Sequence, residues 1–537
     1  MTWRRWARVM SSGLIVLSAW LISSIAHAQA SSAPSHIAML LEEWRVEEAA
    51  SEADALAKAH PGDPDTLIAR AAVRYQLGDY AGALADLDAV LKTGRAGEDV
   101  RGLRALIAST ESAVKGFAEA RSPDGHIVVR YTGRDKILLP YVFETIGAAR
   151  REIAGRDFDA LALLGDPIRV EIYPTVKHLS KVSTLTEHEI ETSGTIALCK
   201  WNKLMIVSPR ALVLGYPWLD TLAHEFTHFV VSRASRGTVP VWLQEGLAKF
   251  EERRWRQPPG GALPITAEHL LAAALAPKST KRLITFEEMY PSMAKLPSQA
   301  DTALAFAEVY TVVEYLHERK GWDGVRAVID RMRAGQGDAG AVAAVLGESY
   351  DDFVKGWKTW LRGRHLREHR GLVPTSLKFS KAKDGKSVDS DDDTADITEE
   401  KVRRFARLGG LLRTQKRLPE AAVEYEKARA ASSEIHLPVA HKLARTYIEM
   451  GAIDRALAVA EPAFELYPES GGLAVTLGEA WQARGDHVKA VANFTSAIQV
   501  NPFDPLPHCR LAQLLEEGDA KKASERDACT ELTGAPQ

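Results

Sequence analysis

The chain has 537 residues, 46% of them apolar and 26% charged, with a formal net charge of −3. That length predicts about three or four domains of ordinary soluble composition. A charge so near zero supplies no basic field, which argues against nucleic acid as a partner.

Residues 1–30 read as a signal peptide. Arg4, Arg5 and Arg8 form a positive start, and Gly13–Ile25 is apolar. The apolar run is shorter than the roughly 20 residues of a membrane helix. Ala26-His27-Ala28 and Ala28-Gln29-Ala30 both fit a small-x-small cleavage site. The alternative is an uncleaved anchor. No cysteine follows the run, which argues against a lipoprotein, and no later segment is long and apolar enough to span a bilayer. The expectation is an exported protein, periplasmic or secreted, with no stable membrane span after cleavage.

Residues 36–117 carry a short helical array. Ala49 and Ala83 are 34 apart, Pro61 closes a unit, and Tyr75, Gly78, Tyr80, Ala83 and Leu87 sit in one repeat phase. Ala105 continues the phase, but Phe117 falls where a small residue is expected. So few units cannot bury a core alone, so these helices are expected to lean on the next domain.

Residues 125–370 change character. "HIVVRY" (126–131) and "IRVEIY" (168–173) alternate like strands, with a helical run at about 137–155 between them. Residues 194–209 predict two strands around a Lys200-Trp201-Asn202 turn. Helices are expected at about 217–235 and 240–256, and residues 265–370 read as further helices. A small sheet followed by helices is an α+β pattern. Residues 376–400 are charged and nearly free of apolar side chains, which predicts a flexible linker.

Residues 401–530 repeat clearly. Gly409, Ala444, Gly478 and Ala512 recur at spacings of 35, 34 and 34, each after a leucine. Ala421, Ala456 and Ala490 follow twelve residues after the first three, and Pro468 and Pro502 close two units. Small residues at fixed places let antiparallel helices pack closely, and proline stops the second helix of a pair. This pattern resembles the tetratricopeptide repeat, which implies a protein partner on a concave surface. Cys509 and Cys529 either pair across a helical hairpin or stay separate thiols. Cys199 reads as an inert strand residue.

The chemistry centres on His224-Glu225-Phe226-Thr227-His228. Residues four apart share a helix face, so His224 and His228 can present imidazoles to one ion. With 16 histidines in the chain, such a pair can arise by accident. A catalytic zinc site needs three protein ligands and an open position. Glu245 lies downstream in Trp242-Leu243-Gln244-Glu245-Gly246, on a second helix that a turn at Arg236-Gly237 would fold back. Glu251 and Glu252 read as solvated helix charges, since charge runs usually face water.

Here the chain resembles the gluzincins, the peptidase MA-like zinc metallopeptidases. The resemblance implies zinc held by His224, His228 and Glu245, with Glu225 as general base. It also implies an edge strand that pairs with an extended substrate, for which the 195–208 hairpin is the candidate. An oxyanion donor is expected from the later helices, with Tyr310 the choice. Phe306 stands where related sequences often have tyrosine, and Lys249 stands where thermolysin-like enzymes have an acid. The fold expected is mostly α: a central α+β gluzincin-like domain between two tetratricopeptide arrays. The function expected is an exported zinc peptidase acting on a peptide or protein. The alternative is a repeat scaffold with an inactive peptidase-like domain.

Overall fold

In the computed structural model, residues 33–534 are described, apart from 95, 259–262, 278, 280–281, 374–376, 380–393 and 395–396. The expected signal peptide at 1–30 and most of the expected linker at 376–400 lie outside the described residues. The chain divides into two units. One comprises residues up to 207, 220–261 and 283–365; the other comprises 208–219, 262–282 and 366–537.

The first unit opens with five helices: α1 (Ala33–Glu42), α2 (Val46–Ala59), α3 (Pro64–Gln76), α4 (Tyr80–Lys92) and α5 (Glu98–Val114). Asp63 and Asp79 cap α3 and α4 by accepting backbone N–H bonds from Thr66 and Gly82. Ala49 and Ala83, at predicted small positions, are fully buried, whereas Ala105, which continued the phase in sequence, is exposed.

A five-stranded sheet follows, made of β1 (Ala118–Arg121), β2 (Ile127–Tyr131), β3 (Ile168–Tyr173), β4 (Ala197–Lys200) and β5 (Lys203–Val207). Its order is β1-β2-β3-β5-β4. β2, β3 and β5 run parallel, while β1 and β4 pair antiparallel at the edges. Strand β1, Ala-Glu-Ala-Arg, is four residues long and mostly exposed, and its apolar residues are alanines, which are depleted in strands, so the sequence did not announce it. The β4–β5 turn uses Trp201 and Asn202, both at positive φ (52° and 59°), the two-residue geometry that matches strand twist.

The N-terminal array does lean on the sheet. Tyr80 Oη donates to Glu171 Oε1 at 2.5 Å, and Lys203 Nζ bonds both Tyr80 Oη (2.7 Å) and Glu171 Oε2 (2.8 Å). All three side chains are buried. Burial would raise the Glu171 carboxyl, but the Lys203 ammonium and the tyrosine hydroxyls hold it down at about 2. A buried ion pair persists only when its remaining hydrogen bonds are met, and here Tyr173 meets another at 2.5 Å.

Helices α6 (Leu139–Ala149), α7 (Val176–Val182) and α8 (Glu187–Ser193) connect the strands. After the sheet come α9 (Trp218–Ser235) and α10 (Val241–Glu251). Helix α11 (Ile265–Leu275) belongs to the second unit. Helix α12 (Gln299–Arg333), broken at Gly321 (φ 61°), α13 (Asp338–Leu346) and α14 (Tyr350–Gly363) complete the first.

The second unit is dominated by eight helices from α15 (Glu400–Thr414) to α22 (Ala520–Thr533). Between them run α16 (Leu418–Ala430), α17 (Leu437–Glu449), α18 (Ile453–Leu466), α19 (Gly471–Arg484), α20 (His487–Ile498) and α21 (Pro505–Leu514). The small residues are needed where aromatics cross. A Cβ on Gly478 would sit 2.5 Å from the Phe494 ring, and one on Gly409 would sit 2.8 Å from Tyr425. Cys509 and Cys529 form a disulfide across α21 and α22, with Cα atoms 4.9 Å apart. The architecture is mostly α with a small central sheet.

Candidate metal centre

Helix α9 buries Leu222, Phe226, Phe229 and Val230 on one side and turns His224 and His228 the other way. Its back is braced by the N-terminal array. Arg233 donates to both Glu47 oxygens (2.8 and 2.9 Å) and to Asn202 Oδ1 (2.8 Å), and Trp44 packs edge-on to Phe229 at 6.0 Å. The histidines therefore stand on a helix held from behind.

The chain reverses at Arg236 and Gly237, both at positive φ (56° and 72°). Helix α10 returns beside α9. Gln244 Nε2 locks the two helices by donating to Ser232 Oγ at 2.9 Å and to the His228 carbonyl at 3.3 Å. Helix α10 also crosses α12 at close range, with Gly246 at the crossing. A Cβ there would lie 2.8 Å from the Val309 carbonyl oxygen. The glycine beside Glu245 thus sets how near that carboxylate can come.

Three donor atoms converge. His224 Nε2 and His228 Nε2 are 3.1 Å apart, and Glu245 Oε2 is 3.4 Å from each. Zinc binds such atoms at about 2.0–2.1 Å, so a tetrahedral ion needs ligand pairs about 3.3–3.4 Å apart. The residues present fit that ion. Glu225 is 6% exposed and lines the same cavity, of about 480 Å³. Burial pushes the Glu225 carboxyl up, against the pull of both histidines and the backbone N–H of Cys199. Glu245 is held well below the ordinary carboxylate range: burial opposes this, and His228 and His224 outweigh burial.

Glu251 and Glu252 are corrected by the structure. They are not solvated: Glu251 is fully buried and Glu252 is 8% exposed. Glu252 Oε2 lies 3.8 Å from His224 Nδ1 and 2.7 Å from Lys249 Nζ. Burial would lift its carboxyl, but Lys249 and His224 bring it to about 2. Burial alone would lower His224, but bonds to Glu245 and Glu252 raise it to about 9. So Glu252, two helical turns after Glu245, faces the far nitrogen of a candidate ligand. The Lys249 departure is what holds it there. The signal was the spacing of seven from Glu245, which returns to the same helix face.

Tyr310 is not among the residues lining the cavity. Its ring packs on Phe250 at 5.5 Å. Phe306, one turn earlier, lines the cavity and meets His224 edge-on at 5.9 Å. Edge strand β4 lines the cavity along Ala197–Lys200. Cys199 is a free thiol on that strand, pushed up by burial.

The family described as the Peptidase MA superfamily matches residues 148–363. The chain carries a Peptidase MA superfamily domain. It also carries a tetratricopeptide repeat, matched over 441–505. These two matches make it a peptidase-like protein with a repeat region. Similar solved structures include the APC/C hetero-tetramer Cut9-Hcn1, at 12% identity over 98% of this chain and 83% of that one, TM-score 0.25. Another is the P58(IPK) TPR domain, at 10% identity over 88% of this chain and 94% of that one, TM-score 0.20. No curated protein matches the sequence.

Proposed function

We propose that the protein is an exported zinc-dependent peptidase whose repeats recruit a protein substrate or partner. The observation that carries this reading is the triangle of His224, His228 and Glu245 donors, with sides of 3.1, 3.4 and 3.4 Å, beside buried Glu225. When bound, zinc supplies a Lewis acid that acidifies water and polarises the scissile carbonyl. His224, His228 and Glu245 would hold the ion. Glu225 takes the proton of the attacking water at its carboxylate and passes it to the leaving amine. Its raised affinity for protons suits a group that must accept one and release it. Strand β4, at the sheet edge, offers main-chain partners to an extended peptide. Tyr310, the expected oxyanion donor, packs on Phe250 away from the cavity lining, so the proposal assigns it no step.

Export is supported by the N-terminal charge and apolar pattern and by the Cys509–Cys529 disulfide, a bond of oxidising compartments. No helix among the described residues is long and apolar enough to cross a membrane. The test pairs two variants of the mature chain. Glu225→Gln is expected to keep the zinc at His224, His228 and Glu245 and lose cleavage of an unfolded protein, while His228→Ala loses the zinc of that site. Undiminished cleavage by Glu225→Gln would reject the hydrolase and favour the scaffold reading.

A further inference from the structure

A second cluster of metal-binding side chains lies far along the sequence from the first, at the entry to the C-terminal repeats. Glu399 immediately precedes α15, and Glu434 and His436 lie in the loop between α16 and α17. The three offer ligand atoms within 4.8 Å of one another. His436 Nε2 is 3.7 Å from Glu399 Oε1 and 3.9 Å from Glu434 Oε2. The His436 side chain is only 8% exposed, yet its Nε2 has no hydrogen-bond partner. Most buried polar atoms are satisfied, so an orphaned imidazole nitrogen aimed between two carboxylates asks for an explanation. A divalent cation would give one.

Neither Glu399 nor His436 makes a side-chain cap bond to the helix it precedes. Glu399 is anchored by Ile397, which is buried with Val402, Ala406, Ala428 and Val439. Its Oε1 accepts from Ser432 Oγ at 2.7 Å, and Ser432 Oγ in turn accepts from the Glu434 N–H at 3.0 Å. The loop backbone is pinned on both sides: Ile435 N–H donates to the Gly371 carbonyl at 2.7 Å, and Tyr467 Oη donates to the Ile435 carbonyl at 2.8 Å. An imidazole on a fixed backbone with two oriented carboxylates is a partly preorganised ligand set.

We propose that Glu399, Glu434 and His436 bind a divalent transition cation of the zinc type, separate from the peptidase centre. One imidazole with two carboxylates favours zinc, cobalt or nickel over magnesium or calcium, which take oxygen ligands. The carboxylates are 39% and 49% exposed, so they can move the roughly half ångström that tetrahedral ligand spacing requires. That exposure also leaves room for water as the remaining ligand. Occupancy would tie residue 399, where the charged segment ends, to the first loop of the repeat array. It would thereby fix the start of the array.

The test uses the full mature chain with His228→Ala, so that the first centre is disabled, and Zn2+ as the probe. Equilibrium dialysis is expected to find one bound zinc in this background. Adding Glu434→Gln, a half-exposed change that leaves the core untouched, should weaken that binding. The loss should be at least the roughly 10–100-fold that follows removal of a residue merely orienting a ligand. Hydrogen exchange at 397–399 and 434–436 should slow on adding Zn2+, and should not slow in His436→Gln. Unchanged affinity in Glu434→Gln, or unchanged exchange at these segments when zinc is bound, overturns the proposal. Failure of the peptidase reading would leave the exchange readout standing, because it reports these segments alone.

Discussion

Replacing Gly246 by alanine sets two opposite effects against each other. Alanine improves helix propensity by about 1 kcal/mol in a helix interior. Against this, its Cβ would meet Val313 Cγ2 at 2.7 Å, the Val309 carbonyl oxygen at 2.8 Å and the carbonyl carbon at 3.3 Å. Ordinary carbon contacts lie at about 3.5–4.0 Å. The valine methyl can rotate away, but a helical carbonyl cannot. Helices α10 and α12 must therefore separate by about half an ångström, and overpacking of this kind costs about 1–3 kcal/mol. The net expectation is a loss of about 0–2 kcal/mol, or roughly 2–4 °C in Tm per kcal/mol for a domain of this size. The larger effect is on zinc. Glu245 precedes Gly246 directly, and ligand distances tolerate only about 0.2 Å. Zinc affinity, measured by competition with a chromogenic chelator, should fall about tenfold or more. A Gly246→Ala protein that melts at or above the wild-type temperature and binds zinc equally well would refute the argument that this crossing positions Glu245.

Glu252→Gln removes the carboxylate that faces His224 Nδ1, and zinc affinity should fall by roughly 10–100-fold with little change in Tm; equal affinity would return Glu252 to a plain buried charge. His441 is half-buried, with its Nε2 atom buried, and Arg445, Arg413 and Lys442 lie near; burial first, then those cations, hold it at about 4, below its ordinary 6.5. The folded state therefore binds fewer protons than the unfolded one. Its contribution is present above about pH 6.5 and is lost as pH falls towards 4, by up to about 3 kcal/mol. Denaturant titrations at pH 7 and pH 4.5 should show a smaller drop for His441→Gln, and parallel drops would contradict this. Reducing the Cys509–Cys529 bond, which closes a loop of 20 residues in separation, should destabilise the repeats by about 3 kcal/mol. Cys509→Ala should then melt at the same temperature with and without reductant, and a persistent difference would point elsewhere.

The sequence by itself determined what depends on short-range periodicity. His224 and His228 share a face because a helix repeats every 3.6 residues. The repeat phase followed from small residues 34 apart, and the strands of β2, β3 and the β4–β5 hairpin followed from alternation. Only tertiary packing decided which charges leave water. Glu251 and Glu252 look like a solvated pair at the end of α10, but both are buried, Glu252 against Lys249 and His224 and Glu251 beside Asp157 and Arg254. Glu171 and Lys203 stand 32 residues apart in an unremarkable pattern and become a buried pair because the N-terminal array supplies Tyr80. Tyr310 shows the converse: a plausible residue on a plausible helix, turned against Phe250 because side-chain direction depends on what the helix packs against. Local geometry fixes which residues can share a face; the partner of that face is set by segments far away in the chain.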